Sequence, residues 1–187
     1  MVRWLRPGPP VAVLPFVNMS GDPANEYFAD GITEELLNAL VQLPGVRVPG
    51  RTSSFTSQDR NLPIQLIADT PNVAHILEGS VRRQGSRVRI TVQLIAADTD
   101  THLWSQTYER ELEDVFAIQR EIAEAIAAQL RVSLTGGVVA ALAAGGTRIP
   151  EAHEAYLRGR YLWAQRSREA VLGAIAEFRR AVELDSL

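Results

Sequence analysis

Hydrophobic and polar positions alternate most cleanly between residues 75 and 110. Val88, Ile90, Val92 and Leu94 point one way, and Arg87, Arg89, Thr91 and Gln93 point the other. Period-two alternation of β-branched apolar residues predicts a half-buried strand. The flanking segments carry the same β signature, so 75–110 is predicted as a three-stranded antiparallel meander. Gln84-Gly85 supplies the first turn, and Asp98-Thr99-Asp100 closes the second.

Upstream, Val11–Phe16 is a nearly continuous apolar run, which suits a strand covered on both faces, with Pro15 near its end. A helix is predicted from a cap at Asp30 to about Leu43, with Thr33, Glu34 and Glu35 in its first turn. Its apolar face is Ile32, Leu36, Leu37, Leu40 and Val41, and Pro44-Gly45 stops it. Val46–Val48 reads as a short second strand, 51–62 as a polar loop, and 63–69 as a second helix that ends before Pro71. A third strand starts near Val73. The order β-α-β-α-β-β-β, with right-handed crossovers, predicts an α/β fold. Its mixed five-stranded sheet has the order 2-1-3-4-5, with strand four antiparallel and helices on both faces in three layers.

Downstream everything is helical. Val115, Ile118, Ile122, Ala125, Ile126 and Leu130 recur at helical spacing in a helix over 113–134 that should pack back on the sheet. Thr135-Gly136-Gly137, Gly145-Gly146 and Pro150 mark a linker. A helical pair follows. Its first helix carries Tyr156, Gly159 and Trp163 on one stripe, with Leu157 and Tyr161 beside it, and the turn is Gln165–Arg168. The second helix carries Ala170, Ala174, Phe178 and Ala181 on one face. The expected organisation is a linker over 1–10, an α/β domain over 11–134, a linker over 135–150 and a helical hairpin over 151–187.

Composition narrows the chemistry. The chain has 187 residues, 46% of them hydrophobic and 22% charged, with a net charge of −3 and no cysteine. Disulfides, thiolate metal sites and thiol nucleophiles are therefore excluded, and no strongly charged partner is implied. No apolar run reaches the roughly 18 residues of a membrane span. Trp4-Leu5-Arg6-Pro7-Gly8-Pro9-Pro10 fits either an interdomain linker or the exit from a membrane helix. The two ends together suggest a piece of a longer protein.

No catalytic, cofactor or metal residues are predicted. His75, His102 and His153 lack ligand spacing and read as strand or surface residues. The loop after the first strand has Gly21 alone, and Asp22, Glu26, Asp30, Glu34 and Glu35 around the helix start would repel phosphate. They read as helix caps and solvated side chains. Arg82, Arg83, Arg87 and Arg89 form a basic hairpin, read as the wet face of the sheet rather than as a nucleic-acid surface. Asp98 and Asp100 lack the oxygen count of a calcium site, and Ser53, Ser54 and Ser57 have no neighbouring base.

Several separated motifs carry a resemblance. They are Val11–Phe16 with Asn18-Met19-Ser20-Gly21-Asp22-Pro23, Glu26-Tyr27-Phe28-Ala29-Asp30-Gly31-Ile32-Thr33-Glu34, Arg51-Thr52-Ser53-Ser54-Phe55, Leu77-Glu78-Gly79-Ser80-Val81, Arg87–Thr91 and His102-Leu103-Trp104. Over 11–134 the chain resembles the TolB N-terminal-like (FlgO-like) domain, from which it departs at Pro71. Residues 151–187 resemble the first tetratricopeptide repeat that commonly follows that domain, with Ala174, Phe178 and Ala181 in the second-helix pattern. Ser186 stands where the repeat usually has proline, and the spacing between the two helices is about three residues long, which marks an atypical repeat.

The resemblance implies a non-catalytic sensory or scaffolding module of a bacterial signalling protein. An adenylate/guanylate cyclase, Ser/Thr kinase or CadC-like output domain would precede it, with a membrane tether, and further repeats would follow. It implies an extracytoplasmic location, with the cytoplasm as the alternative. A single helical pair cannot bury both of its faces. Val171, Ile175, Phe178 and Val182 are therefore the candidate protein-interaction residues, to be covered by the α/β domain, by the long helix ending at Leu134, by a second copy of the chain, or in a longer protein by further repeats or another protein.

Overall fold

The structure, a computed structural model, describes residues 10–49, 73–131, 147 and 149–186. Its strands are β1 (Val11–Val13), β2 (Val17–Asn18), β3 (His75–Gln84), β4 (Arg87–Ala96) and β5 (Thr101–Glu111). Its α-helices are α1 (Glu26–Val41), α2 (Val115–Gln129), α3 (Pro150–Ala164) and α4 (Arg168–Leu184).

The meander forms as the alternation predicts. β3 pairs antiparallel with β4, and β4 with β5. Val88, Ile90, Val92 and Leu94 are buried, while Arg87 and Arg89 are exposed. Gly85 takes φ +61° in the first turn, and Asp100 takes +51° in the second. The register of β4 with β5 shifts between Leu94 and Ile95. Two residues of β5 oppose one step of β4 there, and Leu103 is left over and exposed.

The sheet is mixed and five-stranded, but its order is not the predicted 2-1-3-4-5. The strand path is β1-β3-β4-β5, and β2 also pairs with β3. The single strand expected over Val11–Phe16 is two short ones, both parallel to β3. Pro15 lies between them, where a missing N–H does no harm, and the pairing with β3 slips by one residue across the break. The strand expected at Val46–Val48 is reduced to one bridge, Arg47 to Pro10, so β1 ends the strand path instead of lying inside it. β4 does run antiparallel to the others.

α1 starts four residues before Asp30. Asp22 instead caps a preceding 3-10 turn over Pro23–Asn25, accepting from the Ala24 N–H at 2.9 Å. Thr33 is then mid-helix and buried. Its hydroxyl donates to the Ala29 carbonyl at 2.8 Å and accepts from the Phe16 N–H at 2.9 Å, tying α1 to the chain between β1 and β2. α2 ends sooner than predicted, with Arg131 in the left-handed region at φ +54°.

α1 and α2 lie side by side on one face of the sheet. Phe28, Ile32, Leu36 and Leu40 of α1 and Ile118, Ile122 and Ile126 of α2 share one core with Leu77, Val81, Ile90, Val92 and Leu94. The opposite face has a small cluster of Ile76, Ile95 and Ala97 with Leu14 and Val73. The helix predicted over 63–69, which would make the third layer, lies outside the described residues, as do the polar loop over 51–62 and most of the linker over 135–150. Pro150, assigned to that linker, opens α3 at a position where its missing N–H has no partner to lose.

Candidate interaction site

The α3–α4 hairpin is docked on the α/β unit, and among the residues that dock it are Glu34, Glu35, Arg83 and His153, read from the sequence as capping or surface groups. Leu157 is 1% exposed and belongs to the same core as the sheet. It fits over Gly31, where a Cβ would lie 2.6 Å from Leu157 Cδ2. A ring of polar contacts surrounds this plug. Arg160 pairs with Glu34, and Arg83 of β3 pairs with Glu154. The Tyr27 hydroxyl accepts from Arg83 at 3.0 Å and from Arg158 at 3.3 Å, with the Arg158 guanidinium 4.9 Å from the Tyr27 ring centre. Burial works against the charge on Arg158. The Tyr27 hydrogen bond, with Tyr27, Glu154 and Glu177 nearby, outweighs that and raises its pKa above the usual arginine value.

His153 is a buried polar side chain of this seam, 3% exposed. Its Nε2 lies 2.7 Å from Glu35 Oε1, and its ring centre is 4.4 Å from that of Phe116. Gln119 of α2 donates to the other Glu35 oxygen. Glu35 thus joins α1, α2 and α3 through one carboxylate. From the sequence alone His153 reads as a strand or surface residue, and Glu34 and Glu35 as solvated side chains of a first helical turn. In the helix that forms, both glutamates lie eight or more residues from the start, past the reach of the helix dipole.

Within the hairpin, Ser167 caps α4 by accepting from the Ala170 N–H at 3.1 Å. Ala170 and Ala174 are buried against α3, and the Phe178 ring lies over Gly159, where a Cβ would be 2.6 Å from Cε1. Phe178 also meets the Tyr156 ring, 6.1 Å between centres. Of the four candidate contact residues, Phe178 and Val171 are half-buried, while Ile175 and Val182 are 41% and 64% exposed. α4 packs along α3, and α3 in turn packs on α1, while Val182 borders a cleft that it shares with Glu35 and Phe116. Leu172 joins the stripe of Ile175 and Val182 at 61% exposed.

The other candidates are scattered. Arg87 and Arg89 meet Glu109 at 3.1 and 2.8 Å across the β4–β5 ladder, Arg83 pairs with Glu154, and Arg82 donates to the Met19 carbonyl at 3.2 Å. His75 and His102 lie on β3 and β5. Among the described residues no group of His, Asp and Glu could hold a metal ion, and no helix is long and apolar enough to cross a membrane.

No protein-family model matches the chain. "Putative adenylate cyclase 3" of Rhizobium meliloti (strain 1021) is 41% identical over 177 residues, which is 95% of this chain. The chain spans 30% of the length of that relative. Among solved structures, TolB from Acinetobacter baumannii superposes with a TM-score of 0.51 at 11% identity, over 66% of this chain and 28% of TolB. That likeness shows the fold: part of TolB is built the same way. The LpoB C-terminal domain from Escherichia coli gives a TM-score of 0.46 at 20% identity, covering 56% of this chain and 83% of that one.

Proposed function

We propose that this chain is a non-catalytic, FlgO-like module of a bacterial multidomain signal-transduction protein, and that it works by binding protein through the α4 stripe. The carrying observation is the alignment with the Rhizobium protein. It runs through nearly all of this chain and less than a third of that one. In this reading the nucleotide chemistry of such a polypeptide, cyclase or kinase, belongs to an output domain outside these residues. The hairpin is read as a first tetratricopeptide-like repeat. Its small-residue seam lets the two helices approach closely, as stacked repeats require. Further repeats, another protein or a second copy of the chain would cover Ile175 and Val182. The module is placed on the extracytoplasmic side of the inner membrane, tethered by what precedes it.

Two measurements test this. Incubated with ATP and magnesium, the purified chain should turn nothing over; activity that survives repurification would sink the non-catalytic reading. Sedimentation of the chain with and without Ile175→Glu tests the surface. Association that the charge abolishes is expected. A strict monomer at high concentration that also fails to bind any neighbouring segment of its own polypeptide would remove α4 as the contact.

A further inference from the structure

The exposed surface of α4 has a charge pattern as well as an apolar one. Arg168, Leu172, Ile175, Arg179 and Val182 follow one another at spacings of four, three, four and three residues. On an α-helix that spacing keeps them within an arc of roughly 80°. All five are exposed. Neither arginine has a hydrogen-bond or ion-pair partner among the described residues. Arg83, Arg87, Arg89, Arg158 and Arg160, by contrast, are all paired with glutamates. Glu183 borders the far side of the stripe, and Glu169 and Glu177 are turned further round the helix, so the stripe itself is apolar and cationic.

We infer that the occupant of this surface is an amphipathic helix whose own apolar stripe is flanked by carboxylates, seated so that they meet Arg168 and Arg179. The four-three spacing is the one by which helices interdigitate, which favours a helix over an extended peptide. Unpaired guanidiniums beside an apolar stripe select an acidic flank and reject a basic one, so charge sets the choice of partner while Leu172, Ile175 and Val182 supply the contact. This inference rests on the reading of α4 as the contact surface, and it adds the chemistry of what binds there.

The test uses two designed helical peptides with the same leucine stripe, one flanked by glutamate and one by lysine, titrated against the whole chain by fluorescence anisotropy. At low ionic strength the glutamate peptide is expected to bind about fivefold tighter, and 0.5 M salt to narrow the gap. The Arg168→Glu/Arg179→Glu variant should reverse the preference. Ile175→Glu should weaken both peptides. Equal binding of the two peptides by the unmodified chain overturns the charge inference and leaves the contact surface standing. Binding of neither, or binding that Ile175→Glu does not touch, overturns the inference together with the reading of α4.

Discussion

Leu157 of α3 occupies the space that a side chain at Gly31 of α1 would need. A Cβ at Gly31 would lie 2.6 and 2.8 Å from its two methyl carbons. In an open helix position alanine is better than glycine by about 1 kcal/mol. Here Gly31→Ala should instead destabilise the chain by about 1–3 kcal/mol through overpacking. Leu157→Ala should cost about 2–5 kcal/mol. Combined, the two changes should cost less than their sum, because the alanine at position 31 then enters vacated space. Urea unfolding of the four members of the cycle measures this, and strict additivity would mean that the two residues do not meet.

The carboxylate of Glu35 holds three helices together, so its removal should be felt in all of them. Glu35→Ala leaves the buried His153 without its partner and frees Gln119, at a cost of about 1–3 kcal/mol. Hydrogen exchange should then quicken in α3 more than in the β3–β4 ladder. Unchanged protection of α3 would count against the seam.

Phe178 lies over Gly159 but is only half-buried. Phe178→Ala should therefore cost about 2 kcal/mol, below the roughly 3–5 kcal/mol of a fully buried phenylalanine. Gly159→Ala should separate α3 from α4 and lower helical content by circular dichroism without loosening the sheet.

His75 gives a pH dependence. Burial lowers its pKa from 6.5, and Asp98 opposes that only in part. The unfolded chain therefore binds this proton more readily than the folded one. The stability linked to His75 is complete above about pH 6.5 and is lost as pH falls from there through the lower folded value. Thermal unfolding of His75→Gln should show a smaller drop in midpoint between pH 7 and pH 5 than the unmodified chain. An equal drop would assign the acid sensitivity to other groups.

What was legible followed from local pattern. Alternation at Val88–Leu94 gave the meander, and helical spacing in 115–130 gave α2 and its buried face. The turn read at Gln165–Arg168 placed the break between α3 and α4, though the Ser167 cap within it was not singled out. The first strand was misread because an apolar run does not say whether Pro15 ends a strand or divides it. Strand order failed because Val46–Val48 is too short for its pattern to distinguish a ladder from a single bridge. The docking seam was the largest omission. Glu34, Glu35 and His153 are polar residues whose burial depends on partners 84 or more positions away, and no local periodicity records such a pairing. Gly31, read only as part of a motif, was the one local sign, since a glycine inside a helix often marks the close approach of a neighbour.

In the intact polypeptide α4 should lie against protein. A photo-crosslinking residue at Ile175 in the intact polypeptide, compared with one at Thr107 on the exposed polar face of β5, tests it most directly. Adducts are expected from position 175, mapped by mass spectrometry to an amphipathic helix, and few from position 107. Equal labelling from the two positions, or none from 175 while the hairpin stays folded, would contradict it.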